Sequence, residues 1–176
     1  EAGGHKRGKR VARTVRRARA AALQDTVAAA VRSAYHLLRY RDRSERELRD
    51  RLARKGYSGP VVDATVLQLK EAGFLDDLRL AGNLKRVATE QKQLGAHGVR
   101  AFLQKRGLGR EAIESVPDVS DELAIAERLV DRKVGRLTAL DDAAAQKRLW
   151  SMLSRRGFSA GTIRAVLASH FQRRDS

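Results

Sequence analysis

The ten residues Leu48-Arg49-Asp50-Arg51-Leu52-Ala53-Arg54-Lys55-Gly56-Tyr57 recur twice further along the chain. The second copy is Val99-Arg100-Ala101-Phe102-Leu103-Gln104-Lys105-Arg106-Gly107-Leu108, and the third is Leu149-Trp150-Ser151-Met152-Leu153-Ser154-Arg155-Arg156-Gly157-Phe158. Each has an aliphatic pair at i and i+4, two cations, a glycine and then a large apolar residue. The i, i+4 pair lies on one helix face, and glycine after the last helical residues is the usual left-handed stop. The glycines stand 51 and then 50 residues apart, and six residues after each comes Val62, Ile113 or Ile163. Identical internal spacing at a period near 50 is the signature of a helical repeat array.

Working outward, each unit is predicted to hold three helices. In the first, Val27, Val31, Ala34, Tyr35 and Leu38 share one helix face. Ser44-Glu45-Arg46-Glu47 then forms a capping box ahead of Leu48 and Leu52. A third helix begins near Ser58–Pro60, carries Val62, Val66 and Leu69, and ends at Gly73. The longer opening helices are expected over 27–41, 76–92 and 121–134. Asp76-Asp77 and Ser120-Asp121-Glu122 cap the second and third of these, and Asp141-Asp142 cap the middle helix of the last unit. The expected class is all-α: an elongated array of three tandem three-helix repeats at 27–73, 74–117 and 118–176, preceded by a flexible basic arm over 1–26. Two prolines and few β-branched residues argue against a β protein.

The 176 residues contain 37 Lys and Arg against 21 Asp and Glu, a net charge of +16. Such an excess favours a polyanionic partner or an acidic protein surface. Residues 1–20 alone carry eight cations and one acid, with no signal-peptide apolar core behind them. The chain opens on Glu1 rather than Met, which leaves room for a leader or a few further residues ahead of it. No cysteine is present, which excludes disulfides, thiol catalysis and thiolate zinc sites and fits a reducing cytoplasm. No apolar run approaches the roughly 18 residues of a membrane span. The charge disfavours self-association, and a monomer is expected.

Catalytic signals are weak. Gly157-Phe158-Ser159-Ala160-Gly161 matches G-x-S-x-G, but a hydrolase elbow needs a strand before the serine, and here a helical pattern precedes it. Ser159 reads as a helix N-cap. His5, His36, His97 and His170 lack metal-ligand spacing, and His36 and His170 read as partly buried packing residues. No metal site, cofactor site or catalytic set is expected. The basic residues are more suggestive. Arg54 and Lys55, Lys105 and Arg106, Arg155 and Arg156 fill the same two slots in each copy. Together with Arg43 and Arg46 they are the candidate partner- or DNA-contacting residues. Two readings stay open for the pairs: regularly spaced charge for a polyanion or repeating protein surface, or cations in a last helical turn favouring the dipole, about 0.3–1 kcal/mol each. Tyr57, Leu108 and Phe158 read as core closers, and Trp150 as packing in the third unit. The pattern offers fewer exposed aromatics than a base-stacking platform requires.

The stretch from Leu38 through Arg43, Ser44 and Glu47 to Gly56-Tyr57 closely resembles the signature of the RecX family of recombination regulators. So does Glu71-Ala72-Gly73-Phe74-Leu75-Asp76-Asp77, and Gly95 to Gly107 is similar to the family's second repeat. The resemblance covers about residues 30–172 and is most specific over 38–81. Where the family usually carries an aromatic this chain has Leu80, and the arm at 1–20 lies outside the shared region. The resemblance implies a cytoplasmic, non-catalytic protein of three three-helix repeats that binds the RecA recombinase and its filament on single-stranded DNA. It implies lowered ATP hydrolysis and strand exchange in DNA repair and the SOS response, with no cofactor and no membrane. A rival reading is a direct binder of single- or double-stranded DNA, a nucleoid or transcription factor with helix-turn-helix-like units; the arm favours it.

Overall fold

The structure is a computed structural model that describes residues 25–135, 137 and 141–172. The expected basic arm falls, up to residue 24, outside the described residues. Among the described residues all regular structure is helical. The helices are α1 (Val27–Leu38), α2 (Glu45–Arg54), α3 (Gly59–Glu71), α4 (Asp77–Arg86), α5 (Ala96–Lys105), α6 (Arg110–Glu114), α7 (Glu122–Val134), α8 (Asp142–Arg155) and α9 (Ala160–Gln172). The chain divides into two compact units at Asp76 and Asp77, with α1–α3 in the first and α4–α9 in the second.

One turn is built three times. The N–H of Gly56 bonds the Ala53 carbonyl at 2.9 Å, and that of Tyr57 reaches back to Leu52 at 3.3 Å. Gly107 and Leu108 repeat this on Gln104 and Leu103, and Gly157 and Phe158 repeat it on Ser154 and Leu153. This is the Schellman ending, in which a left-handed residue turns the chain and the next apolar side chain folds over the helix it has left. The three glycines accordingly have φ of +92°, +82° and +75°. Leu108 and Phe158 are buried, and half-buried Tyr57 sends its hydroxyl to the Ala29 carbonyl at 3.1 Å and to Ser33 Oγ at 2.8 Å.

Three apolar clusters result. Leu48, Leu52, Val62, Val66 and Leu69 gather with Ala34 and Leu75 in the first unit. In the second, Leu80, Leu84, Val99, Leu103 and Leu108 form one cluster, and Leu129, Leu149, Leu153, Phe158 and Ile163 anchor the other. Three caps read from sequence are present: Ser44 Oγ accepts from Glu47 N at 3.1 Å, Asp141 Oδ1 from Ala144 N at 2.7 Å, and Ser159 Oγ from Thr162 N at 3.0 Å. Asp121, also expected as a cap, precedes α7 without a side-chain capping bond.

Other expectations need correction. The helix expected over 27–41 ends at Leu38, because Arg41 and Arg43 turn back to pair with Glu47 in the next helix. The helix expected over 76–92 is α-helical to Arg86 and then widens into a π turn over Val87–Gln91. There the Thr89 hydroxyl bonds the Lys85 and Arg86 carbonyls at 3.1 and 3.2 Å, a competition that bends helices. Tyr35 and Trp150, read as packing residues, are 41% and 38% exposed, and His36 is exposed as well. Ala34 already fills the core at the first position, and Leu149 fills it beside Trp150.

Within the second unit, the last of the three turns also joins its two clusters. The N–H of Gly95 donates to the Arg156 carbonyl at 3.1 Å, and those of His97 and Gly98 donate to the Gly157 carbonyl at 3.1 and 3.3 Å. The N-terminus of α5 thus hands its unsatisfied donors to the carbonyls of a neighbouring turn. Glu122 completes the joint: Oε1 accepts from Ala96 N at 2.8 Å and Oε2 from the Thr162 hydroxyl at 2.5 Å. Burial works against its charge, yet bonds from Thr162, Ala96 and Ser159 outweigh that and hold its pKa below the ordinary value.

The joint leaves no room for side chains. A Cβ on Gly95 would lie 2.6 Å from the Gly157 carbonyl oxygen, and one on Gly98 would overlap the Arg156 carbonyl. Gly98→Ala should therefore lower stability in urea titration by about 1–3 kcal/mol. Gly82→Ala meets open space in the exposed middle of α4. It should raise stability by about 0.5–1 kcal/mol; a Gly98→Ala protein as stable as Gly82→Ala would contradict the joint.

Candidate partner-binding surface

Each cation pair sits where the repeat predicts, at the C-terminal end of a middle helix, but its members do different things. Arg54 and Lys55 are both exposed, at the last position and C-cap of α2. Lys105 is exposed and Arg106, the C-cap of α5, is half-buried. Arg155 is exposed, with Nη1 on Ser151 Oγ at 3.0 Å. Arg156 is half-buried and its side chain is engaged: Nη1 donates to the Lys92 carbonyl at 2.6 Å, across 64 residues of chain. Its guanidinium and its carbonyl both serve the joint with α5.

The other two candidates also diverge. Arg46 points outward from α2. The Arg43 side chain is 9% exposed, donates from Nε to the Leu37 carbonyl at 3.2 Å and pairs with Glu47. Arg41 joins the same carboxylate. Burial of Glu47 disfavours its charge, but the hydrogen bonds and charges of Arg41 and Arg43 prevail and lower its pKa. Arg43 therefore holds the α1–α2 connection in place, a role that needs its partners seen in space.

Aligning the repeats by their glycines exposes further surface residues. Arg46, His97 and Lys147 share one outward slot, and Arg49, Arg100 and Trp150 another. Arg49 is paired with Asp63 and Arg100 with Asp118 at 3.3 Å, so the charge at that slot is offset in both copies that carry it. Trp150 lies exposed among Lys147, Arg148 and Ser151. A cavity of about 260 Å³ at the start of α7 mixes Lys85 and Arg128 with Glu90 and Asp121, so opposite charges offset each other there.

The more consequential group was not read from sequence. Tyr35, Tyr40 and Phe74 are 41, 67 and 52% exposed, and all belong to the first unit. Phe74 follows Gly73 in another Schellman turn, its N–H on the Leu69 carbonyl at 2.9 Å. Unlike Tyr57, Leu108 and Phe158, it turns outward and meets Tyr35 edge-on, centroids 4.9 Å apart. Against the few exposed aromatics expected from sequence, this unit presents three.

Ser159 belongs to a different class. Its Oγ caps α9 and lies 2.8 Å from Thr162 Oγ1, and the residues before it form α8 rather than a strand. The local geometry of a nucleophile elbow is missing at that serine. No helix among the described residues is long and apolar enough to cross a membrane.

These features define an all-helical protein built on a turn repeated three times. Residues 30–69 match the family model for the first three-helix domain of RecX, and residues 120–167 that for the third. A regulatory protein RecX from Stenotrophomonas maltophilia (strain R551-3) is 37% identical over 136 residues, covering 76% of this chain and 82% of the relative. Another from Mycobacterium avium (strain 104) is 34% identical over 146 residues, covering 78% and 84%. The crystal structure of RecX from Lactobacillus salivarius shares the fold, with a TM-score of 0.72 at 16% identity over 81% of this chain and 95% of that one. The chain belongs to the RecX family of regulatory proteins.

The two kinds of arginine are separable by stability. Arg43→Ala should cost about 1–3 kcal/mol at neutral pH through lost charge-assisted bonds, and Arg54→Ala should stay within about 0.5 kcal/mol of wild type. The Glu47 contribution is complete above its unfolded pKa of about 4.3 and is lost as pH falls through its lower folded value. The gap between wild type and Arg43→Ala should thus narrow below about pH 4 in parallel urea titrations. A gap constant down to pH 2 would contradict the pairing with Glu47.

Proposed function

We propose that this protein is a non-catalytic regulator of homologous recombination and DNA repair. It binds the RecA recombinase and its filaments on single-stranded DNA in the cytoplasm, and lowers ATP hydrolysis and strand exchange. The observation that carries this reading is membership of a family whose relatives are named regulatory proteins and match over most of their length. The net charge of +16 supports a filament partner with acidic or phosphate surface. The working units in this reading are three repeats, over 27–73, 74–117 and 118–176, with the basic arm ahead of them.

Arg46, Arg54, Lys55, Lys105 and Arg155 are the contact residues we assign to the filament groove, because all five are exposed. Arg43 and Arg156 contribute by holding the α1–α2 connection and the α5 joint, and half-buried Arg106 by its place beside Lys105. Bound along the groove, the protein caps filament growth, speeds disassembly or blocks entry of a second DNA.

Replacing Arg54, Lys55, Lys105 and Arg155 together by glutamate should weaken cosedimentation with RecA filaments by at least about tenfold. The remaining binding should depend less steeply on salt, since fewer counterions are displaced. A folded variant that binds and inhibits like wild type would remove these residues from the interface.

A further inference from the structure

The outer face of α1 has a composition that the regulator reading leaves unused. Arg32, Tyr35, His36 and Arg39 follow one another at helical spacing, and all are exposed. Tyr40 continues the row just past the helix, and Phe74 flanks Tyr35 from the turn after α3. We propose that this face binds single-stranded nucleic acid directly, with Tyr35, Tyr40 and Phe74 stacking on bases and Arg32 and Arg39 meeting phosphates.

Three observations point to this occupant. First, the exposed apolar groups along this row are aromatic rings, and their pairings are edge-on: Tyr35 with Phe74 at 83° and His36 with Tyr40 at 85°, centroids 5.2 Å apart. An edge-on pair covers one face of one ring only, and the ring surface left exposed on Tyr35, Tyr40 and Phe74 is of the kind on which bases of any identity stack. Phe74 is the sharper case, because the same turn position sends Tyr57, Leu108 and Phe158 inward.

Second, the row itself carries cations and no carboxylate. Residues 26–41 contain no Asp or Glu. Among the described residues neither Arg32 nor Arg39 is in an ion pair, whereas Arg41, Arg43 and Arg49 all are. Arg39 lies over the Tyr40 ring with its guanidinium carbon 5.7 Å from the centroid, a cation–π arrangement. Ahead of α1 in sequence stand eight further cations within twenty residues.

Third, the spacing suits a strand. Arg32 and Arg39 are two turns apart, about 10 Å along the helix, with the aromatics between and beside them, a reach of a few nucleotides. A duplex hides its base faces in the stack and could use only the cations. An acidic protein surface would leave the aromatic faces without their best partners.

The inference is independent of the recombinase, and so is its test. The full-length protein is titrated into a labelled short oligothymidylate, and into an abasic phosphodiester strand of the same length, with binding read by fluorescence anisotropy over a salt series. Wild type should bind the oligothymidylate about tenfold or more tightly than the abasic strand. Tyr35→Ala, Tyr40→Ala and Phe74→Ala should each remove about five- to tenfold of that affinity and leave the salt slope unchanged. Arg32→Ala and Arg39→Ala should weaken both strands alike and reduce the slope by about 0.7 each. All five residues are exposed, and circular dichroism checks that the variants fold.

Equal affinity for the two strands, or aromatic variants that are folded and bind like wild type, would overturn the stacking platform. Absence of oligothymidylate binding while binding to RecA filaments persists would also overturn it. That result would leave the regulator reading standing.

Discussion

The left-handed glycine after each middle helix is the constraint on which the rest depends. At φ between +75° and +92° it turns the chain so that the next apolar residue folds over the helix just completed. The third helix of each repeat starts from that turn, with Val62, Ala112 and Ile163 buried just beyond it. The last two helical side chains before the glycine are left near the helix end as cations, in all three copies. A single backbone conformation thus sets both the core and the position of the charge.

Repeats alike in this turn diverge at the other end of the middle helix. Ser44 and Glu47 stand where the glycine alignment puts Gly95 and Gly98. In the first unit the serine caps α2, and the glutamate gathers Arg41 and Arg43 around a connection of six residues. In the second unit the glycines remove side chains altogether, so that α5 donates its first N–H groups to the Arg156 and Gly157 carbonyls. The same two positions hold a local ion-pair device in one repeat and a backbone joint in another. That difference explains why Arg156 is occupied while its counterpart Lys55 is exposed.

Much of the helical framework was legible because it is local. Gly56, Gly107 and Gly157 stop helices, and Ser44, Asp141 and Ser159 start them, for reasons contained within four or five residues of chain. The failures have several causes. The hydrogen bond that occupies Arg156 depends on Lys92, 64 positions earlier, and the burial of Arg43 depends on a chain reversal that brings it to Glu47 and to the Leu37 carbonyl near the end of α1. Helical periodicity put Tyr35 on the apolar side of α1. A face is wide, however, and Ala34 beside it takes the core while Tyr35 stays at the rim. The π turn at Val87–Gln91 left a trace only in Thr89, an isolated side-chain acceptor and donor in a helical run. Partner identity was legible through family resemblance rather than through charge, which names a class of surface and no molecule.

The central claim is that this protein acts on the recombinase filament. The direct measurement is single-strand-dependent ATP hydrolysis by RecA as the protein is titrated in, with a control for its binding to the DNA alone. The account predicts progressive suppression of hydrolysis under salt conditions where the DNA itself is not titrated away. Undiminished hydrolysis at saturating protein, with tight binding to DNA alone, would contradict it.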